Sequence, residues 1–300
     1  MLKKRIFFIQ FFIFSLFISA TYFKNNFESA FKSYGEDNLY KVYALNIPED
    51  LNFCKEEVPL ELFDIKERLD RELLVNTYWQ SNMLLLIKRA YRYFPVIEKI
   101  LKDEEVPDDF KYLAVIESGL ENVRSPKGAK GIWQLMSNTA REYGLEVNRN
   151  VDERYNLELS TRVACKYFKK AKKKFGSWTL AAAAYNRGVS GISRNLTRQK
   201  VDNYYDLLLG RETSRYIFRI LAVKEIMKNA DKYGFVFKEM DLYKPYELRE
   251  FNVDTAISNI ADFSKKMGIN YKNMKLYNPW LLENHLNNKS RKKYLIKIPK

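Results

Sequence analysis

Hydrophobic positions recur at helical spacing along most of the chain, and they alternate only near its C-terminal end. Residues 69–102 show an apolar repeat of three to four positions, with a break expected near Pro95, and residues 211–234 repeat the pattern. Alternation at 251–253 and 294–298 is typical of short strands. The pattern predicts a mainly α-helical protein that ends in a small module with β-α-α-β order.

Changes in this pattern divide the chain into four predicted segments. Residues 1–23 begin MLKKR and continue as an apolar run, which indicates a signal peptide or an uncleaved N-terminal membrane anchor. Residues 24–66 have mixed charge and no sustained period, so we expect a linker or an extended arm. Residues 67–245 then form the predicted helical domain, and residues 246–300 the β-α-α-β module.

One carboxylate, Glu117, lies on the apolar face of a predicted helix in the string FKYLAVIESGLEN. A helix that begins near Pro107 places four residues at positions i, i+3, i+4 and i+7: Phe110, Leu113, Ala114 and Glu117. Gly119 can end this helix with a left-handed cap. A desolvated carboxyl has a raised pKa and keeps a proton near neutral pH. The pattern fits both a general acid and a core glutamate paired with Arg or Lys.

Later blocks of the sequence favour the general acid. The string SPKGAKGIWQLM brings an aromatic, an amide and a thioether side chain together, a mixture that suits a sugar ring and its hydroxyls. The string WTLAAAAYNRG places Tyr185 and Asn186 in an alanine-rich helix just before Gly188. Buried polar groups need partners, so this pair should face a wet cleft or share a hydrogen-bond network.

Five ordered blocks within residues 107–196 together resemble a known family: ESGLEN, SPKGAKGIWQLM, TAREYGL, DERYN and AAAAYNRG. They resemble the catalytic domain of the soluble lytic transglycosylases, a lysozyme-like α-helical fold. The helical segment before Glu117 and the module after the domain look most like the membrane-bound lytic transglycosylase D type. The module resembles a LysM module, although the usual Gly-Asp-Thr opening is reduced to Val-Asp-Thr at 253–255.

The resemblance implies a reaction and a set of site residues. The reaction is cleavage of the β-1,4 bond between N-acetylmuramic acid and N-acetylglucosamine in peptidoglycan, with formation of a 1,6-anhydromuramoyl end. Glu117 would be the catalytic acid and base. Four further motif positions would line the site, with a fifth at the cleft floor: Ser118, Gln134, Tyr185 and Asn186, and Met136. No cofactor is implied.

Two other functions stay open from the sequence alone. Ordinary glycosidases use two carboxylates, and Asp152 is the obvious second one, which would make the protein a hydrolytic muramidase. We favour a structural role for Asp152, as a helix cap or a partner of Arg154. The third reading is a non-catalytic peptidoglycan-binding scaffold. For the module, glycan binding and a docking or stabilising role are both open.

Charge and composition narrow the range of binding partners that we expect for this protein. The formal net charge of +15 favours polyanions. Nucleic acid is the less favoured partner, because no zinc-finger spacing or RNA-binding motif is present, whereas cell-wall stem peptides carry carboxylates. Export across the inner membrane to the periplasm follows from the leader, with membrane association if it is uncut. Cys54 and Cys165 are expected to be free thiols, and a lone histidine, His285, gives no metal motif.

Overall fold

The computed structural model describes residues 42–300, so the predicted leader and residues 24–41 of the predicted linker lie outside the described part. Residues 45–300 fold as one unit. Eight helices precede the C-terminal module within this range: α1 (Phe63–Tyr78), α2 (Gln80–Asp103), α3 (Phe110–Ser118), α4 (Ser137–Glu142), α5 (Leu157–Phe175), α6 (Trp178–Arg187), α7 (Val189–Gln199) and α8 (Arg211–Lys228). The prediction of a mainly α-helical domain is confirmed.

Helix α3 lies at the centre of this bundle. The side chains of Phe110, Leu113 and Ala114 have no solvent exposure, and the helix packs against α2 and α8. The ring of Phe110 stacks on that of Phe168 in α5, with 4.1 Å between centroids. The four consecutive alanines of α6, residues 181–184, are fully buried because their small side chains allow close helix packing. The helix that carries Glu117 is therefore held from several sides.

The break in the first helical segment lies at Trp79, not at Pro95. Helix α1 ends at Tyr78, and Trp79 leaves the helical region with φ −94° and ψ 61° before α2 begins. Pro95 lies inside α2, because the buried residues that follow it, such as Ile97 and Leu101, hold the helix in the core despite the missing N–H donor. Trp79 shares the helical spacing of the apolar residues in this segment, a pattern typical of core packing, but its side chain is 60% exposed.

The segment before α1 packs on the bundle as an arm. Its two short strands, β1 (Asn52–Phe53) and β2 (Glu56–Glu57), pair in antiparallel fashion, and the Phe53 side chain is completely buried. Helix α1 begins at Phe63, within the 24–66 segment that the sequence predicts as linker or arm. Cys54 in this arm and Cys165 in α5 are both free thiols.

Glu56 of the arm caps the N-terminus of α6. Its carboxylate accepts hydrogen bonds from the backbone N–H groups of Trp178 (2.6 Å) and Thr179 (2.9 Å) and from the hydroxyl groups of Ser177 and Thr179 (both 2.7 Å). Partial burial alone would raise the pKa of Glu56, but these bonds lower it below its usual value. The positive end of the α6 dipole stabilises the same charge.

The C-terminal module has the predicted β-α-α-β order. It consists of β3 (Leu248–Val253), α9 (Ile260–Lys266), α10 (Tyr271–Tyr277) and β4 (Tyr294–Pro299). The two strands are antiparallel, with Leu248 opposite Pro299 and Val253 opposite Tyr294. Alternate residues of β4, Tyr294, Ile296 and Ile298, point into a second hydrophobic core that the module builds with Trp280 and Met274.

The module is docked on the helical domain through the loop before α5. Val151 of that loop is fully buried in the core of the module, and the N–H of Asp152 donates to the carbonyl of Trp280 at 3.0 Å. Lys292 of the module lies 3.0 Å from Glu146 and 2.6 Å from Glu153. These contacts support the docking and stabilising role for the module.

We expect Glu56→Gln to lower the free energy of unfolding by about 2 kcal/mol, because the charge at the α6 N-terminus and part of its hydrogen bonding are lost. Urea denaturation checks this. The control is Glu57→Gln, at an exposed neighbour in the same strand, which should change the value by less than about 0.5 kcal/mol. Equal stability of the two variants would contradict the capping role.

Candidate active site

Glu117 lies in the last turn of α3, where the helix ends at Gly119. Gly119 adopts a left-handed conformation with φ 62°, and its N–H donates to the carbonyl of Val115 at 2.8 Å. A Cβ at this position would lie 3.3 Å from Leu86, so glycine also lets α2 approach closely. The predicted helix, its cap and the position of the carboxylate at its end are all confirmed.

The carboxyl group of Glu117 opens into a cleft of about 720 Å³. One wall comes from the end of α1 and the start of α2, the other from α8, and Glu117 and Ser118 lie between them. The remaining lining residues include Glu72, Asn76, Trp79, Asn82, Arg211, Glu212, Arg215 and Arg219. The lining is thus rich in polar groups, as a carbohydrate site requires.

Three side chains of α8 set the electrostatics of Glu117. The Tyr216 hydroxyl donates a hydrogen bond to Oε1 of Glu117, and Arg219 lies close by, with its guanidinium donating to the Ile116 carbonyl at 2.9 Å. Burial raises the pKa of Glu117 to about 7, although the Tyr216 bond and the Arg219 charge lower it in part, while the charge of Glu212 raises it. A carboxyl with this pKa can both give and take a proton near neutral pH.

The loop between α3 and α4 is fixed against the end of the Glu117 helix. The Ser118 hydroxyl donates to the Ile132 carbonyl at 2.8 Å, and the Gln134 amide donates to the Gly131 carbonyl at 2.8 Å. Gly131 has φ 79°, and a Cβ there would lie 2.0 Å from the carbonyl oxygen of Arg154, so only glycine fits. Ser118 and Gln134 therefore shape this loop, and Ser118 also lines the cleft.

Tyr185 and Asn186 are both hydrogen-bonded, as the sequence predicts for buried polar groups, but to separate partners. The Tyr185 hydroxyl donates to the carbonyl of Trp133 at 2.6 Å, and burial, with a smaller effect of the Glu117 charge, raises its pKa well above the usual value. The Asn186 amide donates to Glu212 at 3.0 Å and accepts from the Thr213 hydroxyl at 2.8 Å. Asn186 therefore supports the cleft wall through Glu212, whereas Tyr185 holds the loop that carries Trp133.

The structure does not bring all the predicted residues to one surface. Glu117 and Ser118 line the cleft, whereas Gln134, Met136, Tyr185 and Asn186 do not line this cavity. Asn186 is linked to the cleft through its hydrogen bond to Glu212, which lines the cavity. Met136 lies directly before α4 and is 45% exposed.

Sequence reasoning missed Glu212, Tyr216 and Arg219. It identified the apolar repeat of residues 211–234 but did not single out the polar residues among them. The three lie at positions i, i+4 and i+7, hence on one face, within a helix whose other residues are mostly buried. Their shared spacing on one helix face is the signal that could have found them, although the other polar residues of this helix weaken it.

Asp152 has a structural role. Its carboxylate forms two hydrogen bonds with the Arg154 guanidinium, both at 2.8 Å, and contacts Lys130 at 3.1 Å. Its burial would raise its pKa, but these two cations lower it. Arg154 in turn donates to the carbonyls of Gly128 and Leu135, so the pair fixes the loop before α4. The expectation that Asp152 pairs with Arg154 is confirmed.

Comparison with known proteins agrees with this geometry. Residues 94–207 match the family model of the transglycosylase SLT domain, and residues 249–300 match the soluble lytic transglycosylase C-terminal LysM-like domain. The chain belongs to the SLT transglycosylase family. The helical domain is thus an SLT lysozyme-like domain, and the module is of the LysM-like type that the sequence predicts.

The chain is also similar to individual curated proteins. The chain is 31% identical to the membrane-bound lytic murein transglycosylase D of Escherichia coli strain K12. The match extends over 206 residues, which are 67% of this chain and 45% of that relative. The chain is 30% identical over 112 residues to a putative tributyltin chloride resistance protein of Alteromonas sp. strain M-1, 37% of this chain and 53% of that relative. The chain spans about half the length of the curated relatives it matches.

Two further properties of residues 42–300 concern membrane-spanning helices and metal-binding groups. No helix in this range has the length and apolar character needed to cross a membrane. No group of three or more histidine, cysteine, aspartate or glutamate side chains there is arranged to hold a metal ion.

The raised pKa of Glu117 predicts a pH-dependent stability difference. Ionisation of this carboxyl opposes folding as the pH rises from about 4.5, its ordinary pKa, to about 7, its pKa in the folded protein. Glu117→Gln cannot ionise, so we expect it to match the parent protein near pH 4.5 and to be more stable by about 3 kcal/mol at pH 8. Chemical denaturation at the two pH values measures this.

The matched control is Glu61→Gln, at an exposed position before α1. Its stability relative to the parent should be the same at both pH values. A glutamine variant at 117 that is no more stable than the parent at pH 8 would contradict the desolvation of this carboxyl.

Proposed function

We propose that the protein is a peptidoglycan lytic transglycosylase that cleaves the β-1,4 bond between N-acetylmuramic acid and N-acetylglucosamine. One observation carries the proposal: a half-buried carboxyl group with a pKa of about 7 lies at the end of a helix and faces a polar cleft. Membership of the SLT family and the likeness to a lytic murein transglycosylase support the choice of substrate.

Glu117 acts first as an acid and then as a base. It protonates the oxygen of the glycosidic bond, and that bond breaks as the substrate acetamide stabilises the developing oxocarbenium ion. The resulting carboxylate takes the proton from the 6-hydroxyl of the muramic acid, whose oxygen attacks C1 and forms the 1,6-anhydro ring. The nucleophile belongs to the same sugar, so the entropy cost of capturing a water is avoided.

The groups around Glu117 suit both steps. Burial keeps the carboxyl protonated for the first step. The Tyr216 hydroxyl and the Arg219 charge stabilise the carboxylate that the first step leaves behind. A single carboxyl can therefore serve twice, without a second carboxylate as nucleophile.

The remaining motif residues position this machinery. Ser118 and Gln134 fix the loop beside the cleft, Tyr185 holds that loop through Trp133, and Asn186 supports the cleft wall through Glu212. Met136 is exposed and does not line this cavity, so the contact with the glycan strand that we propose for it lies outside the Glu117 cleft. These roles follow the family motif positions and are proposals for this chain.

A hydrolytic muramidase is the second candidate, and one observation favours it. Glu212 lines the same cleft as Glu117, so it is a carboxylate that could activate a water molecule there. Asp152 does not suit that task, because it is buried and bound to Arg154 and Lys130. The Asn186 bond holds Glu212 against the wall, which favours the transglycosylase.

The proposal extends to location and partners. We propose peptidoglycan glycan strands in the periplasm as the partner, with export across the inner membrane and membrane association through the N-terminus when the leader is uncut. The excess of lysine and arginine suits the carboxylates of stem peptides. The docked module stabilises the catalytic domain, and glycan contact by its outer face is compatible with that role.

The test is mass spectrometry of muropeptides released from purified sacculi by the protein and by its Glu117→Gln variant. We expect products that end in 1,6-anhydromuramic acid, lighter by one water (about 18 Da) than reducing-end products. The glutamine variant should fold and lose activity by several orders of magnitude. Tyr185→Phe, which removes only a supporting hydrogen bond, should lose less.

The outcome separates the candidates. Reducing ends that disappear in Glu212→Gln would make the protein a muramidase. A fully active Glu117→Gln variant would refute the assignment of the acid. Binding to sacculi without release of any product would make the protein a scaffold.

A further inference from the structure

Trp79 is a large aromatic side chain that the fold leaves in solvent. It is 60% exposed, whereas Trp133 and Trp280 are buried and Trp178 is half-buried. An exposed indole forgoes much of the burial free energy that its area could contribute. Trp79 nevertheless lies on a wall of the cleft that contains Glu117.

The position of Trp79 is fixed by both helices that it joins. About two helical turns before Trp79, the buried carboxylate of Glu72 pairs with Arg215 of α8 at 2.6 Å. After it, α2 packs on the end of the Glu117 helix, where Arg89 donates to the carbonyl of Gly119 at 3.2 Å and pairs with Glu121 at 2.8 Å. The backbone at Trp79 is thus held at the junction of α1 and α2, within one wall of the cleft.

Two amide side chains line the same cleft as the indole. Asn76 and Asn82 line the same cleft, one before and one after Trp79 in sequence, and the Asn76 amide donates to the Glu72 carbonyl at 2.8 Å. Sugars present apolar ring faces, which pack on aromatic rings, and hydroxyl and acetamide groups, which bond to amides. An exposed indole and two amides that line one cleft match that combination.

We propose that Trp79, with Asn76 and Asn82, forms a subsite that binds an N-acetylated hexopyranose unit of the strand whose bond Glu117 cleaves. The sugar ring packs on the indole face, and the two amides bond to its substituents. The inference rests on the proposed function for the substrate class. Because the subsite shares the cleft with Glu117, binding there sets which bond is presented to the acid.

The test measures sugar binding without catalysis. The full chain with Glu117→Gln is titrated with N-acetylchitotetraose by calorimetry, and the same is done after adding Trp79→Ala, Trp79→Phe or Phe63→Ala. Phe63 is a matched control, since it is an aromatic residue of α1 that is 78% exposed and does not line the cleft. Acrylamide quenching of tryptophan fluorescence, with and without sugar, reports the exposure of Trp79.

We expect Trp79→Ala to raise the dissociation constant about tenfold, Trp79→Phe to raise it less, and Phe63→Ala to leave it unchanged. Saturating sugar should protect the fluorescence from acrylamide, and this protection should vanish in Trp79→Ala. A dissociation constant that is unchanged in Trp79→Ala would overturn the proposal, because the sugar would then bind elsewhere, for example on the module. So would quenching of Trp79 that sugar does not reduce.

This result is separate from the test of the reaction. Tetramer binding that depends on Trp79, in a protein that releases no anhydro product, would keep the subsite and refute the transglycosylase. Release of anhydro product by both the parent and Trp79→Ala, with the same KM on sacculi, would keep the reaction and refute the subsite.

Discussion

The site depends on one constraint, which is that the carboxyl group of Glu117 must be shielded from water and still face a cleft. The short helix α3 meets it by ending at Gly119, so that its last turn reaches the cleft while its earlier residues are fully buried. Desolvation then raises the pKa of Glu117 to about 7. The hydroxyl of Tyr216 keeps the ionised form accessible.

Other parts of the fold maintain this arrangement. Asp152 and Arg154 fix the loop that the Ser118 hydroxyl contacts, and the neighbouring Val151 is buried in the C-terminal module. The module is therefore connected to the active-site loop through one short segment. The arm contributes in another way, because Glu56 caps α6, the helix that carries Tyr185 and Asn186.

Local signals predicted much of this from sequence. Glu117 stood out because a charged residue occupied an apolar slot, and Gly119 marked the end of its helix. The order of elements in the module followed from a change of period from helix to strand and back. The partners of Glu117 could not be found in this way, since Tyr216 is 99 residues away and its pairing depends on how α3 and α8 pack.

Spacing also misled in two places. Pro95 suggested a helix break, but burial of the following residues outweighs the one lost hydrogen bond. Trp79 shares a helical period with core residues, yet the chain leaves the helix at that residue and turns the indole into the cleft. A period identifies positions that share a face, and it does not say whether that face is covered.

The most direct test of this account is the titration of Glu117 itself. The protein is labelled with ¹³C at the glutamate side-chain carboxyl, and its NMR signal, assigned by comparison with Glu117→Gln, is followed with pH. The account predicts a midpoint near pH 7, well above 4.5, the ordinary value for a glutamate side chain. A midpoint near 4.5 would show that the carboxyl is solvated and would contradict its role as the proton donor.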